Sequence, residues 1–172
     1  MFVTSNKCFN ANYKKMTDKK LLVQSTIAGI FSFVTILILT FLTYKTPYGL
    51  FIIASFGSTM VLLYGYPESP FAQPKNIILG HFLTSLIGII FLNFVPLPIF
   101  INIPLAVGFG VMLMILLKVT HPPAGGNPII VIIGSVSYDY LLTPVIVGSI
   151  VVVLFGFIIN KFLLKKKYPK QI

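Results

Sequence analysis

Residues 21–44 are twenty-four consecutive positions without a formal charge, and no other feature limits the fold of this chain as strongly. A helix over that run would be about 36 Å long, enough to cross roughly 30 Å of hydrocarbon. Apolar runs of similar character follow at residues 48–66, 77–95, 99–119 and 141–164, with a shorter one at 128–136. Inside a bilayer every backbone amide and carbonyl needs a partner within the protein, so runs like these fold as helices. Charged residues make up 9% of the 172 residues, where soluble domains carry about 25%. The expected fold is therefore all-α, a polytopic membrane helical bundle of about six apolar segments.

The charges themselves point the same way. All thirteen basic residues are lysines, set against three acids, Asp18, Glu68 and Asp139. A net charge of +10 would suit a nucleic-acid binder if the lysines formed a patch with interleaved aromatics. Instead Lys7, Lys14, Lys15, Lys19 and Lys20 precede the first run, while Lys161, Lys165, Lys166, Lys167 and Lys170 close the last. Flanking lysines obey the positive-inside rule, and no nucleic-acid partner is expected. The chain divides into a basic tail over residues 1–20, a membrane domain over 21–164 and a second basic tail over 165–172, both tails cytoplasmic. With six spans the inner side holds twelve lysines, the ten flanking ones plus Lys75 and Lys118, and the outer side Lys45 alone. The alternative, four full spans with two re-entrant segments, moves Lys75 and Lys118 outside and gives ten against three. The charge rule favours six. The expected location is a bacterial-type inner membrane, with the lipid bilayer as the first partner.

The apolar pattern is interrupted at Thr120-His121-Pro122-Pro123-Ala124-Gly125-Gly126-Asn127-Pro128. Two adjacent prolines lack amide donors and crowd the preceding turn. Unwound backbone at membrane depth survives where protein or a water-filled cavity satisfies it, so this break is the first place to look for a site. A second irregular stretch pairs with it. Ser55-Phe56-Gly57-Ser58 leads into an apolar run, a polar loop ending Gln73-Pro74, then a long helix. Ala124-Gly125-Gly126-Asn127 leads into an apolar run, a polar loop ending Thr143-Pro144, then a long helix. The offset is close to seventy residues, and three runs per half imply a 3+3 inverted repeat of the kind secondary transporters use.

Several chemistries are missing. There are no paired carboxylates on one run, no nucleophile–histidine–acid trio and no phosphate-binding glycine loop. Cys8 is the single cysteine, which leaves no thiolate cluster and no intrachain disulfide. Two histidines without neighbouring acids do not compose a metal site. No enzyme activity, metal or cofactor is expected. What remains is a candidate binding surface of Ser55, Gly57, Ser58, Thr59, His121, Pro122, Pro123, Gly125, Gly126 and Asn127. Helix-terminal amides freed by the glycines suit an anion, and His121 is expected as a donor to the anion or a proton-coupled switch, since a histidine's ordinary pKa lies near physiological pH. The bland alternatives are a small-residue packing face and a histidine capping the helix before it. Glu68, Gln73, Lys75 and His81 are candidates for loop support or an inner gate, Glu68 by pairing with Lys75 or His81.

His121-Pro122-Pro123-Ala124-Gly125 resembles the signature of the HPP family of integral membrane proteins. The earlier block does too: Ser55-Phe56-Gly57-Ser58, then Pro67-Glu68-Ser69-Pro70, then Ala72-Gln73-Pro74-Lys75-Asn76 to Gly80-His81. That resemblance implies four spans, against the six runs counted above. Some plant and cyanobacterial relatives are associated with nitrite transport, so it also implies a permease for a small inorganic anion. Gly126-Asn127-Pro128 departs from the small or hydroxyl residues expected there. The competing class is a non-transporting membrane scaffold or assembly subunit, and homo-oligomerisation stays open.

Overall fold

The computed structural model describes residues 18–47 and 49–170. The first basic tail, with Cys8, lies outside the described residues up to residue 17. Helix α1 covers Asp18–Lys45. Helix α2 covers Ala54–Met60 and widens into a π-helical turn, Val61–Gly65. A 3₁₀ turn at Pro70–Ala72 leads to α3, Pro74–Phe94. Helix α4 covers Ile99–Leu116, and a second 3₁₀ turn, Pro122–Gly126, passes directly into α5, Asn127–Gly134. Helix α6, Val147–Ile158, is flanked by π-helical turns at Leu141–Ile146 and Ile159–Leu163. No strand occurs among the described residues.

Among the described residues, four helical stretches are long and apolar enough to cross a membrane: Asp18–Lys45, Pro74–Phe94, Ile99–Leu116 and Leu141–Leu163. The other two runs are broken elements packed beside the long helices. Phe51 N donates to Thr43 Oγ1 near one end of α1, and Gln24 Nε2 donates to the Gly65 carbonyl near the other. Thr43 and Gln24 lie nineteen residues apart on one helix, about 28 Å. Residues 51–65 cover that length in two parts, extended up to Ile53 (φ −128°, ψ 152°) and helical from Ala54. The second broken element climbs beside α3. Asn76 Nδ2 donates to the Thr120 carbonyl, and Asn127 meets His81. Gly88 lies against Pro128 and Val131.

The two halves share an element order of long helix, broken element, long helix. Each third helix opens on a proline after an extended residue. Gln73 (φ −75°, ψ 149°) precedes Pro74, and Thr143 (φ −126°, ψ 122°) precedes Pro144. The physical reason is common to both, since proline excludes α geometry from the residue before it but suits the first helical turn. The offset, 144 minus 74, is the seventy residues read from the sequence.

Without a hydrophobic force between helices in lipid, close packing of small residues holds the bundle together. A Cβ at Gly88 would sit 2.9 Å from Pro128 Cα, one at Gly148 2.5 Å from the Phe51 carbonyl oxygen, and one at Gly156 2.6 Å from the Leu63 side chain. These glycines weld α3 and α6 to the two broken elements. The core beside them is Phe56, Leu63, Tyr64, Ile77, Ile89, Val131, Val145 and Val152. Helix α1 is peripheral: it buries Thr35 and Leu39, with Thr35 Oγ1 hydrogen-bonded to Tyr64 Oη at 2.5 Å.

The lysine-rich end, read from the sequence as a basic tail from residue 165, folds back across the loop between α2 and α3. Tyr168 is buried and its hydroxyl donates to the Ala72 carbonyl at 3.0 Å. Lys166 Nζ donates to the Tyr64 carbonyl, and the Lys170 amide donates to Gln73 Oε1. Burying the tyrosine ring and giving three donors partners turns the tail into a strap.

Candidate functional site

Ser55 and Thr59 stand four residues apart on α2, so both face inward on one side of the helix. His81 lies in the second turn of α3, His121 ends the extended approach to the second 3₁₀ turn, and Asn127 opens α5. All five side chains are buried, four of them at 1% exposure or less. They meet where the two broken elements press against α3.

The bonds between them form one chain. Ser55 Oγ donates to Asn127 Oδ1 at 2.7 Å. Asn127 Nδ2 donates to the His81 carbonyl and to His81 Nδ1, both at 3.1 Å. His81 Nε2 lies 3.1 Å from Thr59 Oγ1, which lies 2.9 Å from His121 Nε2. His121 Nδ1 reaches the Phe71 carbonyl at 2.7 Å. Counting donors assigns the protons when both rings are neutral. The Phe71 carbonyl can only accept, so His121 carries its proton on Nδ1 and accepts at Nε2 from Thr59. His81 accepts at Nδ1 from Asn127, so its proton sits on Nε2 and points at Thr59. The Thr59 hydroxyl has a second acceptor within reach, the Ser55 carbonyl at 3.1 Å. If it turns there, Thr59 Oγ1 can accept from both rings, and the network holds one extra proton with no donor left facing another.

Aromatic contacts fix the ring planes. Phe56 meets His81 edge-on at 5.0 Å between centroids, and the two imidazoles lie 4.9 Å apart at 67°. Gly80 makes room for this, since a Cβ there would come within 2.8 Å of His121 Cβ.

The structure thus unites Ser55, Thr59, His121 and Asn127 from the predicted surface and adds His81, expected at the gate. The other candidates fall elsewhere. Gly57 and Ser58 are exposed on the outer face of α2, Gly57 about 200° round the helix from Ser55. Pro122 is exposed, and Pro123, Gly125 and Gly126 are half-buried. Nothing lies within 4 Å of a Cβ built at Gly57, Gly125 or Gly126, so these three are not packing glycines. The amides expected to hold an anion are partly engaged: Ala124 N donates to the His121 carbonyl, and Asn127 N to the Ala124 carbonyl. Glu68 and Lys75 are exposed; Glu68 pairs with neither Lys75 nor His81, and its nearest influence is electrostatic, on Lys166. Gln73 does support the loop, donating to the Pro67 and Ser69 carbonyls while its oxygen receives Lys170 N.

Two residues escaped the sequence reading. Ser85, one helical turn beyond His81, has a fully buried Oγ without a hydrogen-bond partner. Its signal was the i, i+4 spacing from His81 on α3. The Phe71 carbonyl, which fixes the His121 tautomer, is a backbone group and left no trace in residue identity.

The comparisons agree with this architecture. Two transmembrane proteins of Dictyostelium discoideum are similar over 148 residues, one at 33% and one at 30% identity. Each alignment covers 80% of this chain, with 48% of the first relative and 52% of the second, so the chain spans about half their length. No solved structure matches. The family described as HPP, transmembrane region, matches residues 17–169. With that match over nearly all of its length, the chain belongs to the HPP family of integral, multi-pass membrane proteins.

Proposed function

We propose that this protein is a permease for a small inorganic anion such as nitrite, and not an enzyme. One observation carries the reading: five buried polar side chains, from both broken elements and α3, are tied into a single chain at the junction of the two halves. Polar groups at membrane depth are expensive and face pathways or ligands by default, and discontinuous elements at a repeat interface are where transporters bind their substrates. The donor set is neutral: hydroxyls of Ser55 and Thr59, the Asn127 amide and one N–H on each imidazole. With the elements parted, these donors exchange internal acceptors for anion oxygens, and Ser85 Oγ offers the next donor one turn along α3. The turn of Thr59 toward the Ser55 carbonyl admits a proton, which would neutralise the anion's charge during passage. Flux would thus be proton-linked.

We place both chain ends in the cytoplasm. Lys19, Lys20 and Lys166 share one face of the bundle with Lys75, whereas Lys45 lies at the opposite end of α1, and lysine excess marks the inner side. A second reading, a non-transporting scaffold or assembly subunit, is favoured by the closure of the chain, in which every donor already has an acceptor.

Nitrite uptake into proteoliposomes, with and without an inward proton gradient, separates the two. Gradient-driven uptake that disappears in His121→Ala, with the variant still folded in the membrane, supports the permease. Flux equal to that of empty vesicles across a panel of small anions would leave the scaffold.

A further inference from the structure

A groove of about 580 Å³ opens at the lysine-rich end of the bundle, where the start of α1 meets the end of the last helix. Its lining is Lys19, Lys20, Val23, Gln24, Ile27, Leu164 and Lys166. The order of these residues along α1 carries the argument. Lys19 and Lys20 mark the outermost turn, Gln24 lies one turn in, and Val23 and Ile27 continue toward the hydrocarbon. From Lys19 to Ile27 the groove runs about 12 Å, cationic at the mouth and apolar within. No lysine in it forms an ion pair within 4 Å among the described residues. The third lysine is held in place, because Lys166 Nζ, 3.2 Å from the Tyr64 carbonyl, keeps two further donors. Burial lowers its pKa and the field of Glu68 raises it, so a second anion beside it would hold its charge.

We propose that this groove binds one anionic phospholipid, the phosphate on Lys19, Lys20 and Lys166 and an acyl chain along Val23, Ile27 and Leu164. The polarity gradient matches that of a phospholipid and the location matches the headgroup level, where basic pockets between membrane helices recognise anionic lipids. A free phosphate would satisfy the lysines and leave the apolar wall bare. The chain's own residues 1–17 are a poor occupant, since they carry Lys7, Lys14 and Lys15 and no acid.

The test is native mass spectrometry of the full chain released from detergent, after incubation with phosphatidylglycerol, phosphatidylcholine or inorganic phosphate. The wild type should retain one phosphatidylglycerol in preference to phosphatidylcholine by about tenfold or more. K19Q/K20Q/K166Q should lose that preference, while K161Q/K165Q/K167Q, with the same charge removed elsewhere, should keep it. Ile27→Trp retains every lysine and fills the apolar end, so it should lose the lipid too and guards against a triple variant that misfolds. Retention unchanged in the first triple variant or in Ile27→Trp would overturn the proposal. So would full displacement of the lipid by equimolar phosphate. None of these readouts depends on transport.

Discussion

Replacing Gly80 by alanine drives a methyl group into the point where α3 supports the histidine pair. The new Cβ would sit 2.8 Å from His121 Cβ, with the Val119 carbonyl oxygen at 3.2 Å and Ala124 Cβ at 3.6 Å. Carbon atoms rest about 3.5–4.0 Å apart, so the His121 segment must retreat by roughly 1 Å. If that retreat falls on the 2.9 Å Thr59–His121 bond, the bond opens to nearly 4 Å and is lost. Overpacking costs about 1–3 kcal/mol, and an interhelical hydrogen bond in a membrane protein about 0.6–1.7 kcal/mol. Alanine returns about 1 kcal/mol of helix propensity. The sum is a net loss of about 1–4 kcal/mol, a fall in midpoint temperature on the order of 2–16 °C for a chain of this size. Gly125→Ala is the control, since nothing lies within 4 Å of its Cβ; it should be neutral or slightly stabilising. Both can be followed by heating the protein in lipid nanodiscs and measuring the monodisperse fraction by size exclusion. A Gly80→Ala protein as stable as wild type, or a Gly125→Ala protein less stable than it, would refute the packing argument.

Three further outcomes follow from the same geometry. Thr59→Val removes the hydroxyl between the rings and leaves His81 Nε2–H and His121 Nε2 without their partner, which should cost about 1–3 kcal/mol and abolish gradient-dependent uptake; Thr59→Ser should restore both, and a valine variant with unchanged gradient dependence would exclude Thr59 from proton handling. Tyr168→Phe deletes the bond to the Ala72 carbonyl while keeping the buried ring, so a loss of about 1 kcal/mol and faster protease cutting in the 66–73 loop are expected, with unchanged cutting counting against the strap. In a Cys8→Ser background, a cysteine at Lys45 should react with a membrane-impermeant thiol reagent added outside intact cells, and one at Ser69 should not; the reverse labelling would invert the orientation.

Much of this fold was legible because apolar length and proline placement are local signals. The runs, the proline-led starts of α3 and the last helix, and the seventy-residue correspondence all come from residues read in order. Crossing was harder to read in the two broken elements. An extended stretch up to Ile53 followed by a short helix spans as far as a longer helix, although neither part is long enough to cross alone. The four-span and six-run descriptions both capture part of it: four long helices and two broken elements beside them. At the site, the residue types were legible and their directions were not. Ser55 and Thr59 turn inward while Gly57 and Ser58 turn outward because α2 is helical through all four, and that phase depends on which side meets α3. His81 read as a gate or loop-support residue because its position early in the third run looked interfacial, whereas its side chain is fully buried. The loop and strap instead cover the inner end of α3 and sink its second turn into the core. Asn127 donates to both the ring and the carbonyl of His81.

The strap also has a consequence in time. Tyr168 closes on Ala72 from ninety-six residues downstream. A ribosome adding roughly 5–20 residues per second takes about 5–20 s to cover that distance. Throughout that interval the Tyr64 and Ala72 carbonyls wait for partners not yet made. The loop between α2 and α3 therefore stays unlatched until residues 166–170 are made. A ribosome stalled after α4 would leave an inserted, unlatched intermediate with its 66–73 loop open to quality-control proteases.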